Sequence, residues 1–485
     1  MNTVFFQFAS SSIHFVTSLE ILQQESLAGN KNFYCCWGNK TSYPGRMSRN
    51  FETINGRIPK KFKKLILKAD NQISIKEDVI FDQIWVEKTL PKFLSQIKTF
   101  TNLGDLKKLQ FQEINPGAAL ANEITSVTKS RDFDFIKNLG LIEILLRSYL
   151  QIYSAASIFI RENNITRVHL YNGRFLHERA VWDSAKKAAV EVILFENMRD
   201  RYLQRKEGFH DRINNQREMI KYWETSNLSQ KQKIEIGSIY FNELRSKTNP
   251  FNTKSVDKFK SENPYIVYFS NSDDESVGFW ENWNETLGDQ ISCIKMLQTI
   301  FDNQEQFKLI IRLHPNLKNK SQEQRIQWSR VRNSLNSEVI APDSQVSSYE
   351  ILDGCMGSIS FGTTLGLESA FSSKPHLLLA DSGYDHLEVA DKALSWEDVK
   401  KWIRNVHFYS KDVLSKRKEN ACIRGLYLAE GGTKFKSSSL RQVGWGAWEV
   451  DEFCGIVVKQ NLVLQLLSVI ISKNKFRKIK KYTNV

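Results

Sequence analysis

Leu309-Ile310-Ile311-Arg312-Leu313-His314-Pro315-Asn316 and, about fifty residues further on, Ser360-Phe361-Gly362-Thr363-Thr364-Leu365-Gly366-Leu367-Glu368 decide how this chain folds. The first is an apolar β-run stopped by Pro315, which has no N–H to give a ladder and holds φ fixed. The second runs from a strand through a Gly/Thr turn into a helix. Each delivers polar groups to the carboxyl end of a strand, and that is where open α/β sheets bind their ligands.

Strand and helix patterns alternate around these two stretches. Tyr265 to Phe269 predicts a strand, leaving through the polar turn Ser270-Asn271-Ser272-Asp273-Asp274-Glu275. A helix over Ile291 to Asp302 returns to a strand over Phe307 to Leu313. Val339 to Pro342 predicts a short strand and Tyr349 to Cys355 a short helix. Ser358 to Phe361, Thr364 to Phe371 and His376 to Ala380 then predict strand, helix, strand. The amino-terminal part repeats the theme. Thr3 to Ala9 is an apolar run, Ser10-Ser11-Ser12 offers helix-capping hydroxyls, and Ile13, Val16, Leu19 and Leu22 carry helical spacing toward Gly29. Phe33 to Trp37, Arg167 to Tyr171 and Val190 to Phe195 predict strands, with helices over Leu141 to Arg161 and His177 to Ala189. Succession of this kind predicts doubly wound, largely parallel sheets.

A chain of 485 residues exceeds the ~250–300 that one hydrophobic core serves, so two domains are expected. Met198 to Lys260 is polar, helical and poor in strand signals. It puts the boundary near its end, giving an N-terminal Rossmann-like domain over 1–255 and a second over 256–445. Residues 446–485 are read as a C-terminal helix, Leu462 to Ile471, crossing a domain face and followed by a basic tail.

Composition is that of a globular protein, 41% hydrophobic and 25% charged. The six cysteines show no metal spacing and read as buried thiols of a reducing compartment. The residues after Met1 carry no basic region or cleavage signature, so no secretory signal is expected. Leu462 to Ile471 is too short to span a bilayer, and Leu141 to Ile160 is interrupted by Glu143, Arg147 and Gln151. A cytoplasmic protein is expected. The net charge of +14 is partly concentrated in Arg57, Lys60, Lys61, Lys63, Lys64 and Lys68 and in Lys473, Lys475, Arg477, Lys478, Lys480 and Lys481. Such clusters are either solvated faces or an attraction to an anionic inner-membrane surface. Without a zinc finger, an RNA-binding aromatic signature or a long basic helix, no nucleic-acid partner is expected.

The two opening stretches carry chemistry. At a strand end, Arg312 and His314 are suited to donating hydrogen bonds to phosphate oxygens, Arg in two-pronged fashion. Gly362 permits close backbone approach, and Thr363 and Thr364 add hydroxyls and N–H groups at a helix start, an anion site by geometry. Glu368, one turn down on the same face, suits the two hydroxyls of a ribose. Ser270 and Ser272 cap a helix or touch the same ligand. The set reads as a pocket for a phosphorylated nucleotide.

These residues, Arg312-Leu313-His314-Pro315 with Ser360 to Glu368 and Lys374-Pro375, resemble the donor half of GT-B glycosyltransferases, among them the bacterial capsule and surface-polysaccharide biosynthesis proteins. The specific part of the resemblance covers about Tyr265 to Tyr384. It implies two Rossmann-like domains facing across a cleft, the second holding a nucleotide-activated sugar and the first a glycan or lipid-linked acceptor. Arg312, His314, Ser270, Ser272, Ser360, Gly362, Thr363 and Thr364 would then serve the nucleotide and its phosphates, and Glu368 the ribose. The catalytic base of inverting members would come from the first half, with Glu196, His14, His210 and Asp211 as candidates on loop ends. Each of these four also has an ordinary structural reading. The resemblance implies no cofactor and no metal, the nucleotide sugar being the substrate, because fixed hydrogen-bond donors stabilise the departing phosphate. Asp132-Phe133-Asp134 matches the metal-binding D-x-D string of GT-A enzymes but precedes a helix rather than ending a strand. Alternatives are a non-hydrolysing nucleotide-sugar epimerase, a CDP-polyol phosphotransferase, and a catalytically silent assembly protein of the same fold.

Overall fold

A computed structural model describes residues 1–8, 12–37, 41–43, 58, 60–128, 130, 134–206, 208–209, 211–246, 259–272, 286–444 and 447–458. The chain divides into two compact units: Met1–Phe209 with Gly432–Val485, and His210–Gly431.

The first unit opens with β1 (Asn2–Phe6), α1 (Ser12–Leu27), β2 (Lys31–Cys35), α2 (Lys60–Ala69) and β3 (Ser74–Lys76). Four helices follow: α3 (Gln83–Ile97), α4 (Leu103–Lys107), α5 (Gly117–Thr128) and α6 (Leu139–Glu162). The chain returns through β4 (Arg167–Tyr171), α7 (Leu176–Lys187), β5 (Glu191–Met198) and β6 (Arg201–Arg205). Together with β13 (Thr433–Lys434) these strands form a sheet of order β13-β6-β5-β4-β1-β2-β3. β3 through β5 pair in parallel, whereas β6 and β13 add antiparallel at one edge. The chain builds outward from β1 to β3 and then restarts on the other side at β4, so the switch point lies between β1 and β4. Phe5, Val16, Leu19, Leu22, Tyr34, Phe62, Leu65 and Ile66 belong to one apolar core there. A small sheet of β14 (Ser438–Gly444), β15 (Ala447–Phe453) and β16 (Ile456–Val457) joins the same core. Buried Glu20 of α1 fastens its base, accepting from the Lys436 N–H at 3.1 Å, the Ser437 N–H at 2.8 Å and the Ser438 hydroxyl at 2.6 Å.

The second unit begins with α8 (Arg212–Thr225) and α9 (Gln230–Leu244), then β7 (Tyr265–Phe269), α10 (Gln290–Asp302), β8 (Lys308–Arg312), α11 (Gln322–Asn333) and β9 (Glu338–Ile340). Next come α12 (Ser348–Gly354), β10 (Gly357–Ser360), α13 (Leu365–Phe371), β11 (His376–Leu378), β12 (Asp391–Lys392), α14 (Trp396–Asn405) and α15 (Lys411–Glu430). Its sheet has the order β12-β11-β10-β7-β8-β9 and is parallel throughout. Every residue of β7 is buried because helices cover both faces. Tyr268 and Ile266 face one core, while Tyr265, Val267 and Phe269 face the other, the period-two alternation of a strand. The switch point lies between β7 and β10.

Both units are therefore Rossmann-like α/β sheets, the fold class the sequence predicts. The expected division at residue 255 differs from the observed one. Helices α8 and α9 belong to the second unit, and the chain re-enters the first at Gly432. Their polarity disguised how closely they pack. A Cβ on Gly425 of α15 would lie 2.1 Å from the Gly237 carbonyl oxygen of α9, so both glycines are needed for the helices to cross. Arg212 of α8 pairs with buried Asp381 (3.2 Å) and Asp385 (2.5 Å) after β11. Residues 447–457, read as part of a C-terminal helix and tail, are strands β15 and β16. Leu462 to Ile471 and the basic tail lie outside the described residues. No helix among the described residues is long and apolar enough to cross a membrane.

Candidate functional site

At the switch point of the second unit, the carboxyl ends of β7 and β10 part, and β8 ends beside β7. Three loops begin there. The ends of β7 and β8 are joined by Ser270, whose N–H donates to the Arg312 carbonyl (3.1 Å) and whose hydroxyl accepts from the His314 N–H (2.7 Å). Gln290, the first residue of α10, holds the next residue: its side-chain oxygen accepts from the Asn271 N–H at 2.5 Å, and its amide donates back to the Asn271 carbonyl at 3.3 Å. Ser272 follows, fully buried. Asp273, Asp274 and Glu275 lie outside the described residues.

His314 caps the 3-10 turn Pro315–Asn319, its Nδ1 accepting from the Asn316 N–H at 3.2 Å. An acceptor Nδ1 puts the proton of the neutral ring on Nε2, which makes Nε2 a hydrogen-bond donor. Arg312 is placed differently from the sequence reading. It is buried, donates to the Ala341 carbonyl and lies 3.4 Å from the Ser348 hydroxyl, so it fastens the loop after β9. Burial holds its guanidinium down to about 10, against a partial opposing pull from Asp343.

The second stretch turns at Gly362, whose φ of +83° is the left-handed conformation. A Cβ there would stand 2.6 Å from the Asp381 carbonyl oxygen, so only glycine lets the two loops lie this close. The Thr363 hydroxyl accepts from the Leu365 N–H at 3.0 Å, and the Thr363 carbonyl accepts from the Tyr384 hydroxyl at 2.5 Å. Thr364 is exposed and its side chain caps no helix N–H. Helix α13 has seven residues, too few for a strong dipole, so the anion-binding potential of this turn rests on Thr364 and the backbone. Ser360 is buried, its hydroxyl 3.0 Å from His376 Nε2. It supports the strand from below. Burial pushes His376 down to about 3, so the ring is neutral.

Glu368 is buried on α13, and burial pushes its carboxyl up to about 7, opposed by the Tyr349 hydroxyl and the Arg245 charge. Oε2 has no hydrogen-bond partner among the described residues. Arg245 itself forks onto Asp353 (2.9 and 3.0 Å) and stacks over Tyr349.

Two of the four candidate bases lie in the first unit, His14 beside the end of β4 and Glu196 on β5. His14, near the start of α1, stacks on Tyr171 at the end of β4 with ring centroids 3.9 Å apart. Burial lowers its pKa to about 4, only partly offset by the side chain of Asn197. Glu196, the residue before Asn197 on β5, accepts from Asn172 Nδ2 at 2.8 Å; burial raises its pKa against the pull of Arg174 and Arg205. Asn172 itself has a φ of +52°, a turn conformation that asparagine tolerates. Asp211 is elsewhere: it caps α8, its carboxylate accepting from the Asn214 N–H and side-chain amide, both at 3.0 Å. His210, Asp132 and Phe133 lie outside the described residues, and Asp134 accepts from the Lys137 N–H and pairs with its ammonium.

Sequence reading missed Glu178. It is buried in the first turn of α7, one of its oxygens lacks a partner among the described residues, and burial beside Glu123 pushes it up to about 8. The signal was a carboxylate three residues past the strand-end turn Asn172-Gly173-Arg174-Phe175. Gln290 and Tyr384 were missed as well, since neither stands at a strand end. Among the described residues, no group of three or more His, Cys, Asp or Glu side chains is disposed to hold a metal ion.

No family model matches the chain, and no curated protein sequence matches it. Among solved structures it is similar to KpsC of Thermosulfurimonas dismutans, a beta Kdo 2,4 transferase, at 10% identity over 53% of this chain and 79% of that one, TM-score 0.34. It is similar to UDP-GlcNAc 2-epimerase from Neisseria meningitidis bound to UDP-GlcNAc, at 11% identity over 89% and 97% of the two chains, TM-score 0.29. MurG of Acinetobacter baumannii is a third, at 10% identity over 90% and 97%, TM-score 0.28. At such scores none of these likenesses assigns an activity.

Proposed function

We propose that the protein is a glycosyltransferase that moves a sugar from a nucleotide-activated donor to a surface-polysaccharide or lipid-linked glycan acceptor. The observation that carries this reading is the second unit's switch point, where Ser270 ties the β7 end to the His314 N–H at 2.7 Å beside the left-handed Gly362 turn. Rigid backbone and neutral hydrogen-bond donors at a switch point suit a nucleotide's phosphates. His314 Nε2–H and the Thr364 hydroxyl contact phosphate oxygens, Ser272 and Thr363 support that contact, and Glu368 accepts from the ribose hydroxyls. Arg312, Ser270 and Ser360 act as positioning residues.

In the transfer, the acceptor hydroxyl oxygen bonds to the anomeric carbon, the bond from that carbon to the phosphate oxygen breaks, and the nucleotide departs with the electron pair. The acceptor's proton passes to a general base. Glu196 is our assignment: its Asn172 contact fixes its orientation, and partial desolvation raises its basicity toward that needed near neutral pH. His14, kept neutral by burial, packs on Tyr171 as a structural ring. We place the work on the cytoplasmic side, where nucleotide sugars serve as substrates and thiols such as Cys35 and Cys293 stay reduced.

The test is thermal unfolding of the wild type, His314→Ala and Thr364→Ala with CMP, CDP, UDP or GDP. A nucleotide at about 100 times its Kd stabilises the native state by ~2.7 kcal/mol, roughly 5–10 °C in a unit of this size. The reading expects one nucleotide to give that shift and either substitution to shrink it. No shift with any of the four, or equal shifts in all three proteins, refutes it.

A further inference from the structure

Helix α2 has two dissimilar sides. With 3.6 residues per turn, Phe62, Leu65, Ile66 and Ala69 share one arc and are buried. The opposite arc, about 120° wide by the same geometry, carries Lys60, Lys64, Leu67 and Lys68, all exposed, with Lys61 at its edge. Leu67 is 45% exposed amid these lysines. Lys63, on the flank, is engaged by Glu77 at 2.5 Å. Lys60, Lys64 and Lys68 have no acidic partner among the described residues.

Within the helix only Lys68, in the last turn, is favoured by the helix dipole. Lysines at i, i+4 and i+8 stand about 6 Å apart along the axis and repel each other. The first turn holds Lys60 and Lys61 and no acidic residue, which opposes the helix dipole. A neutral polar residue in place of Lys60 or Lys64 would serve the helix better, so the stripe points to an external anion. The kind of anion follows from the side chains. No aromatic residue stands on the exposed arc to stack a base, as single-stranded nucleic acid requires. Lysines are compact charges rather than two-pronged phosphate forks, and an exposed leucine between them suits entry into a bilayer's headgroup layer.

We propose that the outer face of α2 docks on an anionic lipid bilayer, Lys60, Lys64 and Lys68 meeting the headgroups and Leu67 entering among them. This rests on α2 alone and stands or falls apart from the nucleotide reading. The test is co-sedimentation of the full-length protein with vesicles of phosphatidylcholine alone or with 30% phosphatidylserine. Binding is expected only to the anionic vesicles and should weaken as salt rises. Replacing Lys60, Lys64 and Lys68 together by Gln should weaken it on the order of 100-fold, while the triple Arg variant retains it. The triple Gln variant should melt no lower than wild type, since it removes like-charge repulsion. A control replacing Lys88, Lys98 and Lys108 by Gln makes the same charge change elsewhere in the unit and should bind nearly as wild type. Wild-type binding by the α2 variant, equal loss in the control, or tighter binding to an RNA oligomer than to the vesicles would each overturn the proposal.

Discussion

Gly362→Ala is the sharpest structural probe of the proposed nucleotide turn. Gly362 sits at φ +83°, where a side chain's Cβ meets its own backbone at a cost of about 1–2 kcal/mol. The added Cβ would also stand 2.6 Å from the Asp381 carbonyl oxygen, well inside ordinary contact. That oxygen has little room to retreat. Asp381 is buried and paired with Arg212 at 3.2 Å and with Lys392, and nearby Tyr384 ties the same loop to the Thr363 carbonyl. Overpacking against such a fastened neighbour costs about 1–3 kcal/mol more. The total, about 2–5 kcal/mol, is a large part of a unit's ~5–15 kcal/mol stability. It corresponds to a fall of roughly 5–15 °C in the transition of the second unit. Scanning calorimetry of the variant, with Gly29→Ala alongside, isolates the crowding. Gly29 has φ +74° with nothing within 4 Å of its would-be Cβ, so it reports the backbone cost alone. A Gly362→Ala transition within about 2 °C of wild type, or no larger a shift than Gly29→Ala produces, would refute the reasoning about a fastened loop.

Other consequences follow from the same geometry. Glu20→Ala removes the acceptor of three hydrogen bonds at the base of the β14–β16 sheet and should cost roughly 2–4 kcal/mol, with hydrogen exchange accelerating at Lys436 to Phe453; unchanged exchange there contradicts the anchoring role. Gly237→Ala should part α9 from α15 and destabilise the second unit by about 3 kcal/mol or more in urea, whereas a neutral effect would mean that the two helices do not cross that closely. Glu368, held up to about 7 in the fold against an ordinary 4.5, binds its proton more tightly folded than unfolded. Its contribution is therefore fully present below about pH 4.5 and is lost as pH rises through 7. Glu368→Gln should flatten that decline in the stability of the second unit, and an unchanged pH profile would contradict a buried, protonated Glu368.

Much of the fold was legible because strands buried on both faces announce themselves. Tyr265–Phe269 and Arg167–Tyr171 match the sequence reading to the residue, each an unbroken run bounded by polar turns. The antiparallel strands gave no such signal: β6, Arg-Tyr-Leu-Gln-Arg, is polar and pairs antiparallel with β5, so it passed for part of a helical segment. The unit boundary was hidden for a related reason. Helices α8 and α9 are held by a glycine crossing and by Arg212's pairing with two aspartates, contacts that link residues far apart in the sequence and leave no local pattern. At the site, position along the chain was readable but partners were not. Arg312 and Ser360 stand at strand ends as expected, yet Ala341 and His376 claim their polar atoms. Glu178 was invisible as a perturbed acid, since its raised pKa comes from burial and from Glu123, distant in sequence.

The central claim is that the ends of β7, β8 and β10 bind a nucleotide. Isothermal titration of the full-length protein with CMP, CDP, UDP and GDP tests it most directly, repeated on His314→Ala after its native melting is established. Saturable one-to-one binding of one of the four, weakened at least tenfold by the substitution, is the predicted result; no binding of any of them, or an affinity untouched by the loss of His314, would contradict it.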